Sequence, residues 1–268
     1  MEKPKNSLKV VSEKKARIIL PNAITLIGVC IGLSSIKFAI DGKFAIAIVA
    51  ILFAGLMDAL DGRIARLING TSKMGKELDS LGDVISFGVA PALIMYFWNL
   101  QYLDKLGWFI CLTYVVCVAL RLARFNVNSD EEPSWKDNFF EGMPSPAGGI
   151  IVLLPLILSF SELGDLFFKI NYDLIVPIFF VVVSVLLIST IPTYSFKKIV
   201  IQRKTTIFLL FGIILSFGLL LVYPFTVISV STIIYVLLFP LSFFHFQKLK
   251  TQNEDKNHTE DDDFEDVL

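Results

Sequence analysis

The chain has 268 residues, of which 54% are hydrophobic and 18% are charged, and its formal net charge is −1. A water-soluble domain of this length carries more charge and shorter apolar runs, so the composition excludes that class, and no nucleic-acid partner is expected. The three cysteines lie inside apolar runs, and the two histidines lie near the C-terminus. Disulfide bonds and histidine-based catalysis are therefore not expected either.

Apolar runs follow one another along the chain, and many of them reach the roughly 18 residues that a helix needs to cross the hydrocarbon core of a membrane. We predict membrane helices at about Pro21–Ile40, Phe44–Leu67, Leu78–Phe97, Leu106–Leu122, Ala147–Phe160, Leu174–Ile191, Thr206–Leu221 and Val227–Phe246. The predicted fold is therefore an all-α polytopic membrane protein with about eight transmembrane helices.

Polar segments divide the chain into four parts. A basic N-terminal segment (1–17) precedes a six-helix transmembrane core (18–204), a two-helix hairpin (205–246) and an acidic tail (247–268) that is expected to be disordered. The N-terminal segment is not interpreted as a cleavable signal peptide, because the apolar run after it is long and no small-residue cleavage site follows it.

Positive charge is distributed unevenly over the predicted loops. With the N-terminus in the cytoplasm, only Lys37, Lys43, Lys105 and Lys169 of the 24 Lys and Arg residues fall on the outer side. Because cytoplasmic loops carry the excess of Lys and Arg, this distribution predicts a protein of the inner membrane with both termini and the polar stretch 58–83 on the cytoplasmic side.

Four aspartates lie where the second predicted helix ends and the third begins. Asp58 and Asp61 are spaced i,i+3 and Asp79 and Asp83 are spaced i,i+4, so each pair lies along one helical face. Two such faces turned toward each other offer hard oxygen ligands, which suit Mg²⁺ or Mn²⁺ better than zinc. Helix-end charges facing water are the simpler interpretation, but the helix dipole disfavours Asp58 and Asp61 near a C-terminus.

Small and basic residues around the aspartates are typical of a phosphate-binding surface. Gly62 has no side chain to block a nucleotide, and Ala65 is small for the same reason. Arg66 can pair with a diphosphate through its planar guanidinium, and Gly75 lets the connecting loop approach closely. Asp83 is a candidate to take a proton from an incoming hydroxyl.

These residues resemble the signature of the CDP-alcohol phosphatidyltransferase family. All eight signature positions are filled at the family's spacing: Asp58, Asp61, Gly62, Ala65, Arg66, Gly75, Asp79 and Asp83. The resemblance implies that the aspartates hold two divalent cations, Mg²⁺ or Mn²⁺, and that Asp83 touches a cation and acts as the general base. It also implies a helical bundle like that of the family, in which the other four residues cradle the CDP group and CMP is the leaving group.

A narrower resemblance, to the membrane-embedded phosphatidylserine synthases of bacteria and archaea, covers roughly residues 20 to 200. The stretches that carry it are 21–25 (PNAIT), 78–83 (LDSLGD), 86–92 (SFGVAPA), 121–127 (RLARFNV) and 142–146 (GMPSP). It implies CDP-diacylglycerol as the donor, L-serine as the acceptor, phosphatidylserine as the product and a homodimer surrounded by membrane lipid. We interpret 142–146 as a structural turn, with a substrate-gating role left open.

Five polar residues outside the signature are further candidates. Asn22 and Thr25 are polar where contact with lipid is costly, so contact with the cytidine end of CDP and simple interhelical bonding both remain open. Arg121, Arg124 and Asn126 are candidates for binding the acceptor or the lipid phosphate. Membrane topology alone also predicts positive charge at that cytoplasmic helix end.

Two other functions remain open. The same chemistry could use another acceptor, such as glycerol 3-phosphate, inositol phosphate or choline, although a phosphorylated acceptor would need a dedicated basic pocket. Carboxylates within a membrane also occur in ion-coupled transporters, which are not enzymes. A transporter would bind a divalent ion without releasing CMP.

Overall fold

The computed structural model describes residues 13–128, 139–164, 171–194 and 203–265 of the chain. Within these ranges the α-helices are α1 (Glu13–Ile40), α2 (Phe44–Leu67), α3 (Lys73–Asp83), α4 (Ala90–Trp98), α5 (Asp104–Asn128), α6 (Ser145–Val152), α7 (Leu154–Ser159), α8 (Tyr172–Ile188), α9 (Arg203–Val222) and α10 (Pro224–Glu265). A π-helical segment (Val84–Val89) joins α3 to α4, and a 3₁₀ turn (Leu100–Leu103) precedes α5. The predicted all-α class is confirmed.

The predicted number of about eight membrane helices is not confirmed. By length and composition, five helical stretches of the described residues can cross a membrane: Ile18–Ile40, Phe44–Leu67, Lys73–Trp98, Leu100–Val127 and Pro224–Gln247. Two further apolar helices, Tyr172–Ile188 and Leu209–Val222, are shorter. The predicted span at 147–160 is instead divided into α6 and α7 around Leu153, because Pro155 offers no N–H to continue the first helix.

Helix α1 lies against α2, α3 and α4, and small residues let it approach them closely. At Gly32 an added Cβ would lie 2.6 Å from the hydroxyl of Ser86, so only glycine fits at this contact. A tight turn, with Gly42 at φ +73°, then reverses the chain into α2. This packing places the first turns of α1 beside the end of α2 and the start of α3, where the aspartates lie.

The helix that carries Asp79 and Asp83 changes its winding directly after Asp83. Its π-helical segment leads into Pro91 in the first turn of α4. Because Pro91 has no N–H, the carbonyl of Phe87 lacks its usual donor four residues on and accepts a hydrogen bond of 2.9 Å from the hydroxyl of Tyr114 on α5. The bond fixes α5 against the segment that follows the aspartates.

A short two-stranded sheet, absent from the sequence prediction, joins two loops. Strand β1 (Phe139–Glu141) pairs antiparallel with β2 (Pro192–Tyr194). Next to β1, Gly142 has φ +75°, its N–H donates to the carbonyl of Ile191 (3.0 Å), and its own carbonyl accepts from the hydroxyl of Thr193 (2.8 Å). We call β1, Gly142 and β2 the β clamp, because together they tie the start of α6 to the segment that follows α8.

The hydrophobic core lies among α2, α4, α5, α6 and α8, and its largest fully buried side chains include Tyr114, Phe87 and Phe180. In contrast, the described side chains of α9, from residue 209 onward, are all exposed. Helix α10 contacts α7 and β2 and continues to Glu265, which differs from the disordered tail expected from residue 247. No Gly or Pro between Gln247 and Glu265 ends this helix. Most of the N-terminal segment 1–17 lies outside the described residues.

Candidate active site

The structure brings the four aspartates of α2 and α3 together. Ligand oxygens of Asp58, Asp61 and Asp79 all lie within 4.8 Å of one another, and Asp83 joins them in the lining of a small cavity. Asp61 is buried, with 3% of its surface exposed, whereas Asp79 is open to solvent. Opposite ligands around one Mg²⁺ ion lie about 4 Å apart, so the three oxygens are spaced closely enough to share cations.

The turn between α2 and α3 makes the two acidic faces meet. Asn69 adopts the left-handed conformation (φ 51°), and the N–H of Gly70 donates to the carbonyl of Ala65 (2.8 Å), which ends α2. Ser72 then caps α3 by accepting a hydrogen bond of 3.0 Å from the N–H of Gly75. The chain therefore reverses within a few residues and returns with Asp79 on the face toward α2.

Among the described residues, the four aspartates form no salt bridge. In the described ranges, no Lys or Arg comes within salt-bridge distance of any of them. Their polar contacts include the hydroxyls of Thr25, which bonds to Asp61, and Ser145, which bonds to Asp83. The Oδ1 atom of Asp83 is buried and accepts no hydrogen bond from the described residues. Because unpaired buried carboxylates are costly, this set of oxygens fits divalent cations as the missing partners.

A cleft of about 1080 Å³ opens beside the aspartates. Its lining includes Thr25, Asp61 and Asp79, which also line the small cavity. All six residues predicted to bind CDP line the cleft: Asn22, Thr25, Gly62, Ala65, Arg66 and Gly75. Asn126 and the basic residues Lys73 and Lys76 lie there as well. This volume is sufficient for a nucleotide head group next to the acidic cluster.

The signature glycines differ in their surroundings. An added Cβ at Gly62 would meet nothing within 4 Å, so this glycine faces open space in the cleft. At Gly75 the same atom would lie 2.9 Å from the side-chain oxygen of Asn22, so this glycine permits close contact between α1 and α3. Arg66 is exposed, and its Nε donates to the carbonyl of Gly62 (3.0 Å), which lays the guanidinium along the edge of the cleft.

Arg121 approaches the aspartates only through another residue. It is buried, with 7% of its surface exposed, and its Nη1 donates to the hydroxyl of Ser145 (3.1 Å). Ser145 in turn donates to Oδ2 of Asp83 (2.7 Å). Sequence reasoning did not select Ser145 as a site residue, although it lies within the GMPSP stretch at 142–146.

The other two residues predicted to contact the acceptor or the lipid phosphate lie apart from each other. Arg124 donates to the carbonyls of Ile188 (2.8 Å) and Ser189 (3.3 Å) at the C-terminal end of α8, and it does not line either cavity. Asn126 lines the large cleft and donates to the hydroxyl of Ser80 (2.9 Å). Of the three candidates, only Asn126 lies at the cleft.

A bundle of apolar helices, with an acidic cluster at the edge of a polar cleft, is the arrangement that cation-assisted chemistry at phosphorus requires at a membrane. Residues 18–188 match the family model of CDP-alcohol phosphatidyltransferases, and the chain belongs to that family. The family resemblance expected from the signature is thus confirmed.

Several relatives carry the name CDP-diacylglycerol–serine O-phosphatidyltransferase. The chain is 36% identical to one from Helicobacter pylori over 82% of this chain and 88% of the relative. It is 45% identical to one from Mycobacterium bovis over 54% of this chain and 51% of the relative, and 33% identical to one from Bacillus subtilis over 54% and 82%. The chain thus spans about half the length of the mycobacterial relative.

Proposed function

We propose that this protein transfers the phosphatidyl group from CDP-diacylglycerol to L-serine and thereby forms phosphatidylserine and CMP. The observation that carries the proposal is the convergence of four aspartates, which form no salt bridge among the described residues, at the edge of a cleft lined by the residues predicted to bind CDP. The names of the relatives support this choice of donor and acceptor.

In this proposal Asp58, Asp61, Asp79 and Asp83 hold two divalent cations, Mg²⁺ or Mn²⁺. When bound, such cations screen the phosphate oxygens and stabilise negative charge on the attacking and leaving oxygens. The protein's own contribution is to keep the carboxylates close together with no competing Lys or Arg among the described residues. Mutual repulsion of the acidic groups then favours the binding of cations between them.

The large cleft takes the CDP group. Gly62 leaves room for the nucleotide beside α2, and the exposed guanidinium of Arg66 pairs with the diphosphate. Ala65 and Gly75 complete the surface of the cleft, and Asn22 and Thr25 approach from α1. Thr25 also bonds to Asp61, so the side of the cleft that receives the nucleotide is connected to the acidic cluster.

The chemical step is an in-line displacement at the phosphorus of the lipid-side phosphate. The hydroxyl oxygen of serine forms the new P–O bond, and the bond from that phosphorus to the oxygen bridging to CMP breaks. Asp83 accepts the proton that the serine hydroxyl loses. The Oδ1 atom of Asp83 accepts no hydrogen bond from the described residues, which supports this role.

We also propose the membrane arrangement that the charge distribution predicts. The chain crosses the inner membrane with both termini and the aspartates on the cytoplasmic side, where Lys and Arg are concentrated. Counting the five long helices, the two shorter apolar helices and the α6–α7 pair as one span, this arrangement has about eight spans. The protein is a homodimer in this proposal.

The test is CMP release by the purified full chain with CDP-diacylglycerol, Mn²⁺ or Mg²⁺, and a panel of alcohols. We expect release with L-serine, its loss after chelation of the cations, and its recovery when Mn²⁺ or Mg²⁺ is restored. Faster release with glycerol 3-phosphate, inositol phosphate or choline would overturn the acceptor assignment. Divalent-ion binding without CMP release for any alcohol would favour a transporter.

A further inference from the structure

One buried chain of hydrogen bonds connects α5 and α6 to the acidic cluster. Arg121 donates to Ser145, and Ser145 donates to Oδ2 of Asp83, over distances of 3.1 and 2.7 Å. Ser145 is 1% exposed and Arg121 is 7% exposed, so water does not compete for either bond. The donor order is unambiguous, because the serine hydroxyl carries a single hydrogen and Arg121 can only donate.

We propose that Ser145 is a positioning residue for Asp83, and that Arg121 acts on Asp83 through Ser145. The Ser145 hydroxyl occupies Oδ2 and thereby fixes the rotation of the carboxylate. Oδ1 accepts no hydrogen bond from the described residues, so it is the oxygen left for a cation or for the acceptor hydroxyl. This inference rests on the proposed function, in which Asp83 is a cation ligand and the general base.

Close packing of α6 restricts the movement of Ser145. Ser145 begins α6, and Gly142 of the β clamp lies three residues before it. Within α6, an added Cβ at Gly148 would lie 2.8 Å from the side chain of Leu187 on α8, and one at Gly149 would lie 3.1 Å from the Cα of Phe87. Helix α6 is thus seated closely between α8 and the π-helical segment that follows Asp83. A side chain held this firmly can impose an orientation on its partner.

The test compares Ser145→Ala with Ser184→Ala in the full-length protein. Ser184 is an equally buried serine, but its hydroxyl donates only to the carbonyl of Phe180 in its own helix (2.8 Å). The first measurement is the Mn²⁺ affinity without CDP-lipid or serine, and the second is kcat and KM for both substrates. Residues that orient a cation ligand typically contribute about 10- to 100-fold to cation affinity or activity.

We expect Ser145→Ala to weaken Mn²⁺ binding by about 10-fold and to lower kcat by about 10- to 100-fold, with little change in either KM. Ser184→Ala should change both quantities by less than about 2-fold, since it removes only a local backbone bond. Equal losses in the two variants, or an unchanged Mn²⁺ affinity in Ser145→Ala, would overturn the proposal.

A double variant tests whether Arg121 acts on Asp83 through Ser145 in this series of hydrogen bonds. Arg121→Met retains buried volume but cannot donate to Ser145. If Arg121 acts only through Ser145, adding Arg121→Met to Ser145→Ala should lower kcat little further. Multiplicative losses, or a selective rise in the serine KM of Arg121→Met, would assign Arg121 to the substrate instead. Because Mn²⁺ binding is measured without substrates, the absence of CMP release by the wild type would refute the proposed function and leave the orientation of Asp83 separately testable.

Discussion

The two sides of the candidate active site are built in different ways. On one side, the proposed cation ligands and most of the cleft come from α2, α3 and the short turn between them. On the other side, Arg121 and Ser145 lie 24 residues apart in sequence, and Ser145 lies 62 residues from Asp83. The first side depends on spacing along two neighbouring helices, whereas the second depends on how α5, α6 and α8 pack. Which residues form the acidic cluster is therefore decided by the local sequence, whereas the orientation of Asp83 is decided by tertiary packing.

The largest effect is expected on the local side, from Asp83→Asn. The amide keeps the shape of the side chain but has neither the negative charge nor the ability to accept the proton. We expect CMP release to fall by about 10²- to 10⁴-fold while CDP-lipid binding is largely retained. The control is Asp41→Asn, which changes an aspartate in the exposed ion pair with Lys37 and not in the acidic cluster. Full activity of Asp83→Asn would remove this residue from the mechanism.

A smaller effect is expected from Gly62→Leu, whose larger side chain would fill part of the cleft. The added side chain meets no protein atom at its Cβ, so it should crowd the nucleotide and leave the fold intact. Crowding of this kind costs about 1–3 kcal/mol, or roughly 10- to 100-fold in the KM for CDP-lipid. Gly212→Leu on α9 is matched, because its Cβ also meets nothing within 4 Å. Similar KM values in the two variants would argue against nucleotide binding beside Gly62.

On the tertiary side, Gly142→Ala should reduce stability more than activity. The residue has φ +75°, and the added Cβ would lie 2.5 Å from the carbonyl oxygen of Ser189. We expect a loss of about 1–3 kcal/mol in the free energy of unfolding, measured by thermal or denaturant unfolding in detergent. Gly42→Ala has a similar φ of +73° but an open environment, so it separates backbone strain from the clash. Equal losses would mean that the β clamp itself contributes little.

The smallest effect is expected from Arg124→Ala. Both of its hydrogen bonds go to carbonyls at the end of α8, so its removal should lower the free energy of unfolding by about 1 kcal/mol. The KM values for serine and CDP-lipid should change equally or not at all. A selective increase in the serine KM would instead support the predicted role of Arg124 at the acceptor site. Lys37→Ala, which breaks an exposed ion pair, is the control for removing a surface charge.

Sequence reasoning predicted the local side well, because its geometry follows from helix periodicity. Once α2 and α3 form and the turn reverses the chain, spacings of three and four residues bring the carboxylates onto facing surfaces. The residues predicted to bind CDP line one cleft for the same reason. Their functional roles remain predictions, since convergence alone does not assign them.

The remaining features could not be predicted because their causes lie far apart in sequence. The split of the predicted fifth span depends on Pro155, but an apolar run with a proline can also continue as a kinked helix. Strands of three residues, such as β1 and β2, have no periodicity to detect. The hydrogen bonds from Arg124 to the end of α8 join distant parts of the sequence, and its role at the acceptor site stays a prediction.

By itself, the sequence determined an apolar helical chain, the carboxylate pairs and the family to which it belongs, because hydropathy and helical spacing act over short distances. Only the tertiary structure decided that Ser145 donates a hydrogen bond to Asp83, that Arg121 donates to Ser145 and that Arg124 caps the end of α8. Those contacts depend on where separate helices end relative to one another. Packing of the whole bundle sets these positions, and no local pattern encodes it.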